Sequence, residues 1–403
     1  MTKCIFINLL ADMNIPEEHI ENGEKLLKNG NFEGAVSSFS KAIDLVPDNP
    51  YYYYKRGRAY EESKDYEKAL KDFVKGSSLD SKSALYVSAA AGVYEAQENY
   101  DKALEFFQKS CSLDSRSAWD HYKVGDIHFI NKKYSEAVSW FTKAIELKED
   151  EYYCYRRGKA YLELGDRESA KRDFSRAVQI SPDYKLGLME RAPLLFEEGD
   201  YEGCISDYTA LIEKYGGQAY LYYFRGKAYF ELQKYAEAAA DFSESIKLDP
   251  SDINCFLKRG DAYLYMKEYE KAEADYTVSI EADPQHFPSY FARGNSRYSL
   301  NKLDDAINDF SKALDLCPEL TDAVYWKARI LQKKGDYKTA VKCFNEVLKA
   351  RPDFVQAYYC RGECYSKLGN EDDAKQDHTK AYELNPSLTN SLDGLDTLKA
   401  ISF

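Results

Sequence analysis

Seven arginines each stand sixteen residues before an aspartate: Arg56 and Asp72, Arg157 and Asp173, Arg191 and Asp207, Arg225 and Asp241, Arg259 and Asp275, Arg293 and Asp309, Arg361 and Asp377. A guanidinium beside a carboxylate is either a charged site for a ligand or a tie between two elements, because the planar fork matches a carboxylate with two parallel bonds. The corresponding positions elsewhere hold Asn22 with Ser38, Ala90 with Phe106, Val124 with Trp140, and Lys327 with Cys343. Neither member of the charged pair occurs without the other. An arginine that always travels with its own carboxylate is a poor anion site, so these residues read as structural ion pairs within one repeating element.

Other chemistry has little support. The chain has no Gly-rich phosphate loop, no HExxH and no GxSxG. Five histidines include His121, His128 and His378 at positions where neighbouring repeats carry rings, and nine cysteines are scattered without a CxxC. Cys360 and Cys364, one helical turn apart, would need outside ligands to hold a metal, so no cofactor and no metal site is expected. The cysteine usage and the absence of an Asn-x-Ser/Thr acceptor suit reduced thiols and a cytoplasmic location. A net charge of −13 leaves no basic footprint for nucleic acid or an anionic membrane, and neither partner is expected.

What positions these residues is a 34-residue period. An alanine recurs at Ala35, Ala69, Ala103, Ala137, Ala170, Ala238, Ala272, Ala306, Ala340 and Ala374, with Cys204 in the one vacancy, and a ring usually follows four residues later, as at Phe39, Phe73 and Tyr276. Residues i and i+4 share a helix face, so a small residue and a ring make a hole and a knob. Twelve residues upstream of the alanine stands a glycine, as at Gly23, Gly57 and Gly226, replaced at Ala91, Ala192 and Ala328. Each repeat therefore predicts two amphipathic helices, A and B, joined by a short polar turn, and many close on a proline such as Pro47 or Pro250.

Period, glycine, alanine, ring and proline together resemble the tetratricopeptide repeat (TPR), followed eleven times between Pro16 and Leu388. Counting positions 1 to 34, the repeats start at Pro16, Pro50, Ala84, Ala118, Glu151, Lys185, Ala219, Ile253, Phe287, Thr321 and Val355. The resemblance implies an all-α solenoid, a right-handed superhelix of helix-turn-helix units with helix A on the concave face. Residues 1–15 read as an N-terminal cap segment, residues 16–388 as one solenoid, and residues 389–403 as a C-terminal capping helix with Leu392, Leu395 and Leu398 at helical spacing. Repeat six, 185–218, departs from the pattern through Pro193 in helix A and Gly216-Gly217 at its end, so its curvature is expected to change, unless helix A simply starts late.

The family implies ligand contact from positions 2, 5, 9, 12 and 13 of helix A. Position 5 is aromatic at Tyr54, Tyr122, Tyr155, Tyr223, Phe291, Tyr325 and Tyr359, and position 2 adds Tyr51, Trp119, Tyr152 and Tyr220. These rings are either a ladder for a peptide segment or packing against neighbouring helices. Position 9 mixes Arg58, Lys159, Lys227 and Arg329 with Glu24, Asp126, Asp261 and Glu363, implying no single ligand charge. Co-chaperone members of the family grip a chaperone's C-terminal carboxylates with lysine at position 5 and asparagine at positions 9 and 6. Here position 5 is never lysine, and Asn295 is the only asparagine at position 9, so binding of such a tail is not expected. The reading is a non-enzymatic scaffold or adaptor for a protein or peptide partner. Its alternatives are a structural subunit using convex or terminal surfaces, and a chaperone-associated adaptor without the clamp.

Overall fold

The computed structural model describes residues 15–386; the two predicted caps lie outside the described residues, apart from Ile15. Among the described residues the chain is an all-α solenoid of helix pairs. In chain order the helices are α1 (Pro16–Lys28), α2 (Phe32–Leu45), α3 (Pro50–Glu62), α4 (Tyr66–Leu79), α5 (Ala84–Ala96), α6 (Tyr100–Leu113), α7 (Ala118–Ile130), α8 (Tyr134–Leu147), α9 (Glu151–Glu163), α10 (Arg167–Ile180) and α11 (Lys185–Glu198). They continue as α12 (Tyr201–Tyr215), α13 (Ala219–Glu231), α14 (Tyr235–Leu248), α15 (Ile253–Tyr265), α16 (Tyr269–Ala282), α17 (Phe287–Ser299), α18 (Leu303–Leu316), α19 (Thr321–Lys333), α20 (Tyr337–Ala350), α21 (Val355–Lys367) and α22 (Glu371–Leu384). Odd numbers are A helices and even numbers B helices.

Local chemistry sets the boundaries. Each A–B turn carries one residue in the left-handed region at position 15: glycine at Gly30, Gly165, Gly199, Gly335 and Gly369, and in the others Lys64, Glu98, Lys132, Gln233, Lys267 or Asn301, these six with φ between 57 and 63°. The B helices then start on caps such as Asn31, Asp65, Asp200 and Asp336, whose side chains accept from the backbone N–H three residues on and satisfy a donor the helix leaves open.

The core is the knob and hole. Phe39, Phe73, Phe141, Phe174, Phe242, Phe310 and Phe344 are fully buried, as are the alanines four residues before them. Each such ring is worth about 1.5–3 kcal/mol of burial. In most repeats the ring lies on the position-8 glycine of its own helix A: a Cβ on Gly57 would fall 2.6 Å from Phe73, and one on Gly294 2.8 Å from Phe310. No side chain larger than hydrogen fits there without moving the ring.

Two compact units result, one ending at Leu194 and the other starting at Leu195. The division falls within α11, which begins at Lys185, position 1 of its repeat, and runs through Pro193. A late start for this helix is therefore not what the structure shows. Each unit taken alone is a stack in which every helix packs on its sequence neighbours.

Candidate peptide-binding surface

Six of the arginine–aspartate pairs are forked ion pairs. Arg56 donates from Nε and Nη2 to the two carboxylate oxygens of Asp72, both at 2.8 Å, and Arg157, Arg225, Arg259, Arg293 and Arg361 grip Asp173, Asp241, Asp275, Asp309 and Asp377 at 2.6–3.0 Å. Arg191 and Asp207 belong to different units. The remaining guanidinium nitrogen, Nη1, reaches the preceding repeat at position 25: Ser40, Thr142, Thr209, Ser243, Thr277 and Asn345 accept it at 2.6–3.1 Å. Each arginine thus ties helix A to its own helix B and to the repeat before. In two of the repeats without the charged pair the substitution is matched: Asn22 donates to Ser38 at 2.9 Å, and Ala90 with Phe106 joins an apolar cluster. These guanidiniums are saturated and form no anion site.

The position-5 rings lean on the position-24 rings of their own B helices. Centroid separations run from 5.2 Å for Tyr359 and His378 to 6.1 Å for Tyr325 and Phe344, with Tyr54, Tyr122, Tyr155, Tyr223 and Phe291 between them. Tyr122, Phe291 and Tyr325 are only 3, 2 and 4% exposed. The faces of these three are largely spent on packing, which leaves them little to offer a ligand arriving along the position-2 row. Tyr54, Tyr155, Tyr223 and Tyr359 are half-buried.

Position 2 is different. Tyr51, Trp119 and Tyr152 in the first unit are 42, 52 and 38% exposed, and Tyr220 in the second unit is 39% exposed. Aliphatic residues missed by a search for rings belong to the same row: Leu85 and Leu186 also hold position 2 and are 40 and 39% exposed. In the first unit an apolar side chain therefore stands open at position 2 of every repeat from two to six. Position 2 of the later repeats is Asn254, Pro288, Asp322 and Gln356.

The exposed rings are held from beneath and beside. Tyr51 stacks on Tyr54, Trp119 leans on Tyr122 at 5.5 Å, and Tyr152 touches both Tyr122 and Tyr155. Lys55 lies 5.0 Å from the Tyr51 centroid and Lys123 4.9 Å from that of Trp119. Those cations are also tied across repeats, Lys55 to Glu24 at 2.5 Å and Lys123 to Glu95 at 2.8 Å, while Arg156 bonds Asp126 and Lys159 bonds Glu190. The row consists of preset rings among neutralised charges, which suits amphipathic and apolar side chains more than a strongly charged ligand.

Neither Cys111 nor the pair Cys360 and Cys364 is set for thiol or metal chemistry. Cys111 Sγ lies 3.7 Å from His121 Nδ1, the contact a thiol and its base would make, but that nitrogen is 2.9 Å from the Ser117 carbonyl and so carries its proton. Burial pushes the Cys111 thiol up to about 12, which removes the thiolate. Cys360 and Cys364 are fully buried, and Arg329 donates to Cys360 Sγ at 2.9 Å, a cation where a metal would have to sit. No group of three or more His, Cys, Asp or Glu among the described residues could hold a metal ion, and no helix there is long and apolar enough to cross a membrane.

Sequence profiles described as TPR repeat match residues 23–64, 226–267, 294–335 and 328–369, and those described as tetratricopeptide repeat match 50–83, 88–117, 121–151, 151–184, 253–286 and 355–388. No curated protein sequence is matched. Among solved structures, the C-terminal part of a TPR repeat-containing protein from Cytophaga hutchinsonii is 19% identical over 59% of this chain and 98% of its own, with a TM-score of 0.50. YrrB, described as a TPR protein with an unusual peptide-binding site, is 22% identical over 46% of this chain and 96% of its own, with a TM-score of 0.42. Cut9–Hcn1, an APC/C hetero-tetramer, is 15% identical over 95% of this chain and 89% of the other, with a TM-score of 0.39. The first of these likenesses bears on fold alone.

Proposed function

The chain belongs to the tetratricopeptide repeat family, and from that premise we propose that it is a non-enzymatic protein-interaction scaffold whose first unit takes a peptide segment along the position-2 row. The carrying observation is the run Tyr51, Leu85, Trp119, Tyr152 and Leu186, each more than a third exposed in consecutive repeats. Large apolar side chains left open at regular intervals mark interaction surfaces, and rigid rings lose little entropy when covered. A segment with apolar residues at matching intervals is the occupant this row suits. The test is a displayed-peptide selection on the full chain, followed by binding to a Trp119→Ser variant. A central interfacial ring is worth roughly 2 kcal/mol or more, so affinity should fall at least about tenfold with the fold kept.

A second reading, a structural subunit that uses the faces of its B helices, draws support from one place. Val74 is 58% exposed at the mouth of a cavity of about 360 Å³ lined by Phe73, Tyr86, Ala90 and Phe106, beside the repeat where alanine replaces the arginine. Under that reading Val74→Ser would disturb assembly and Trp119→Ser would be silent.

A further inference from the structure

In the second unit a cavity of about 210 Å³ opens between α15 and α17, lined by positions 2, 5, 6, 9 and 12 of these consecutive A helices. Five polar side chains line it: Asp261 and Asn295 at position 9 of the two helices, together with Asn254, Lys258 and His286. Asn295 is 1% exposed, yet its Oδ1 has no hydrogen-bond partner. A buried amide oxygen left unpaired loses its hydration without a replacement, so a cavity lined by one favours a donor.

Asp261 has one hydroxyl and one long lysine contact for its charge. Its side chain is 15% exposed, accepts the Tyr276 hydroxyl at 2.9 Å, and stands 3.4 Å from Lys258, a longer contact to a one-third-exposed lysine one turn earlier on the same helix. Burial pushes the Asp261 carboxyl upward, against the opposing pull of Lys258 and the Tyr276 hydroxyl. The Tyr276 phenol is held well above its ordinary value, so it keeps its proton and remains the donor. His286 at the rim is committed to Ser289 Oγ at 2.7 Å. The Asn254 amide is bonded to Asp252, and the rest of the wall is apolar, formed by Leu257, Leu264, Pro288, Phe291 and Ala292.

We propose that this cavity is a binding site for a protonated nitrogen on an aliphatic stem, the ammonium or guanidinium of a lysine or arginine in a bound segment. The stem lies against the apolar wall while the nitrogen donates to Asn295 Oδ1 and to Asp261, and Lys258 turns outward. At about 210 Å³ the space is below the usual range for a whole small-molecule ligand and suits one long side chain. As a side-chain pocket it rests on the peptide-scaffold reading, which supplies the segment.

The experiment titrates the full chain with n-butylguanidinium, n-butylammonium and the neutral isostere n-butylurea, following the backbone amides of the lining residues Ala292 and Leu264 by NMR, and repeats this with D261N and N295L after circular dichroism shows unchanged helix content. The expected result is a saturable shift with one or both cations, at least fivefold weaker for the urea and for both variants; the stronger cation identifies the side chain. No saturable shift, equal binding of the urea, or cation binding unchanged in D261N and N295L overturns the site. The peptide selection separates the two claims. Selected peptides indifferent to lysine, arginine and D261N overturn the pocket and leave the scaffold reading standing, whereas cation binding without any selected peptide supports the pocket and counts against that reading.

Discussion

Arg225 holds Asp241 by two parallel bonds of 2.8 Å, with the arginine side chain 16% exposed and the aspartate 8%. The same geometry recurs in five more repeats, and in each the free corner of the fork bonds the repeat before it. Removing Arg225 leaves a buried carboxylate uncompensated and also cuts an inter-repeat bond to Thr209. Arg225→Ala should lower stability by about 1–4 kcal/mol, and Arg225→Lys should recover little of it because a point charge cannot fork. Arg58, half-exposed and paired with Glu61 and Glu62 on its own helix, should cost about 0.5 kcal/mol or less as Arg58→Ala. Urea midpoints measure both, and equal shifts would show that the pairing carries no weight.

Glycine to alanine should act with opposite signs at two neighbouring repeats. At Gly57 the new methyl meets Phe73 at 2.6 Å, and overpacking of this kind costs about 1–3 kcal/mol. At Gly92, inside α5, the nearest atom is the flexible Glu61 carboxylate at 3.9 Å, so alanine gains helix propensity of roughly 0.5–1 kcal/mol. Thermal melts that move the same way for Gly57→Ala and Gly92→Ala would contradict the knob-and-hole account.

Buried thiols make the fold sensitive to alkali. Burial, the leading cause at each, pushes Cys111, Cys204 and Cys364 up to about 12 and Cys154 and Cys255 to about 11. Folded values above the unfolded one mean the stabilisation is fully present below about pH 9 and is lost as pH rises toward 11 to 12, because the unfolded chain loses those protons first. Urea midpoints should therefore fall between pH 9 and 10.5, and Cys204→Ala should make the fall shallower. In the native state at pH 8, Cys317 and Cys343, which are only partly buried, should react with a thiol reagent ahead of the five.

Much of this was legible because the chain supplies its own comparisons. The period, the alanine and the ring fix which residues meet, and eleven copies expose the coupling of positions 7 and 23 as chemistry: charge with charge at Arg56 and Asp72, amide with hydroxyl at Asn22 and Ser38, apolar with apolar at Ala90 and Phe106. The bond from Arg56 to Ser40 was not legible, since serine and threonine are common on any polar helix face and the contact crosses to another repeat. Ring type misled in the candidate surface. Tyr122 and Trp119 look alike as sequence, but position 5 points at the knob of helix B and position 2 does not, so one is buried and the other open. Leu85 and Leu186 share their residue type with core leucines, and only their exposure at position 2 places them in the row. Asn295 was noted only as a misplaced clamp residue; its unpaired oxygen needs coordinates to be seen.

The most direct test places benzoylphenylalanine, a ring for a ring, at position 119 or 152, and at position 74 as a control, and irradiates each protein with a peptide selected on the wild type. The account predicts crosslinks from 119 and 152 and none from 74. Crosslinks from 74 alone, or none from 119 and 152 while the peptide remains bound, would move the binding surface off the position-2 row.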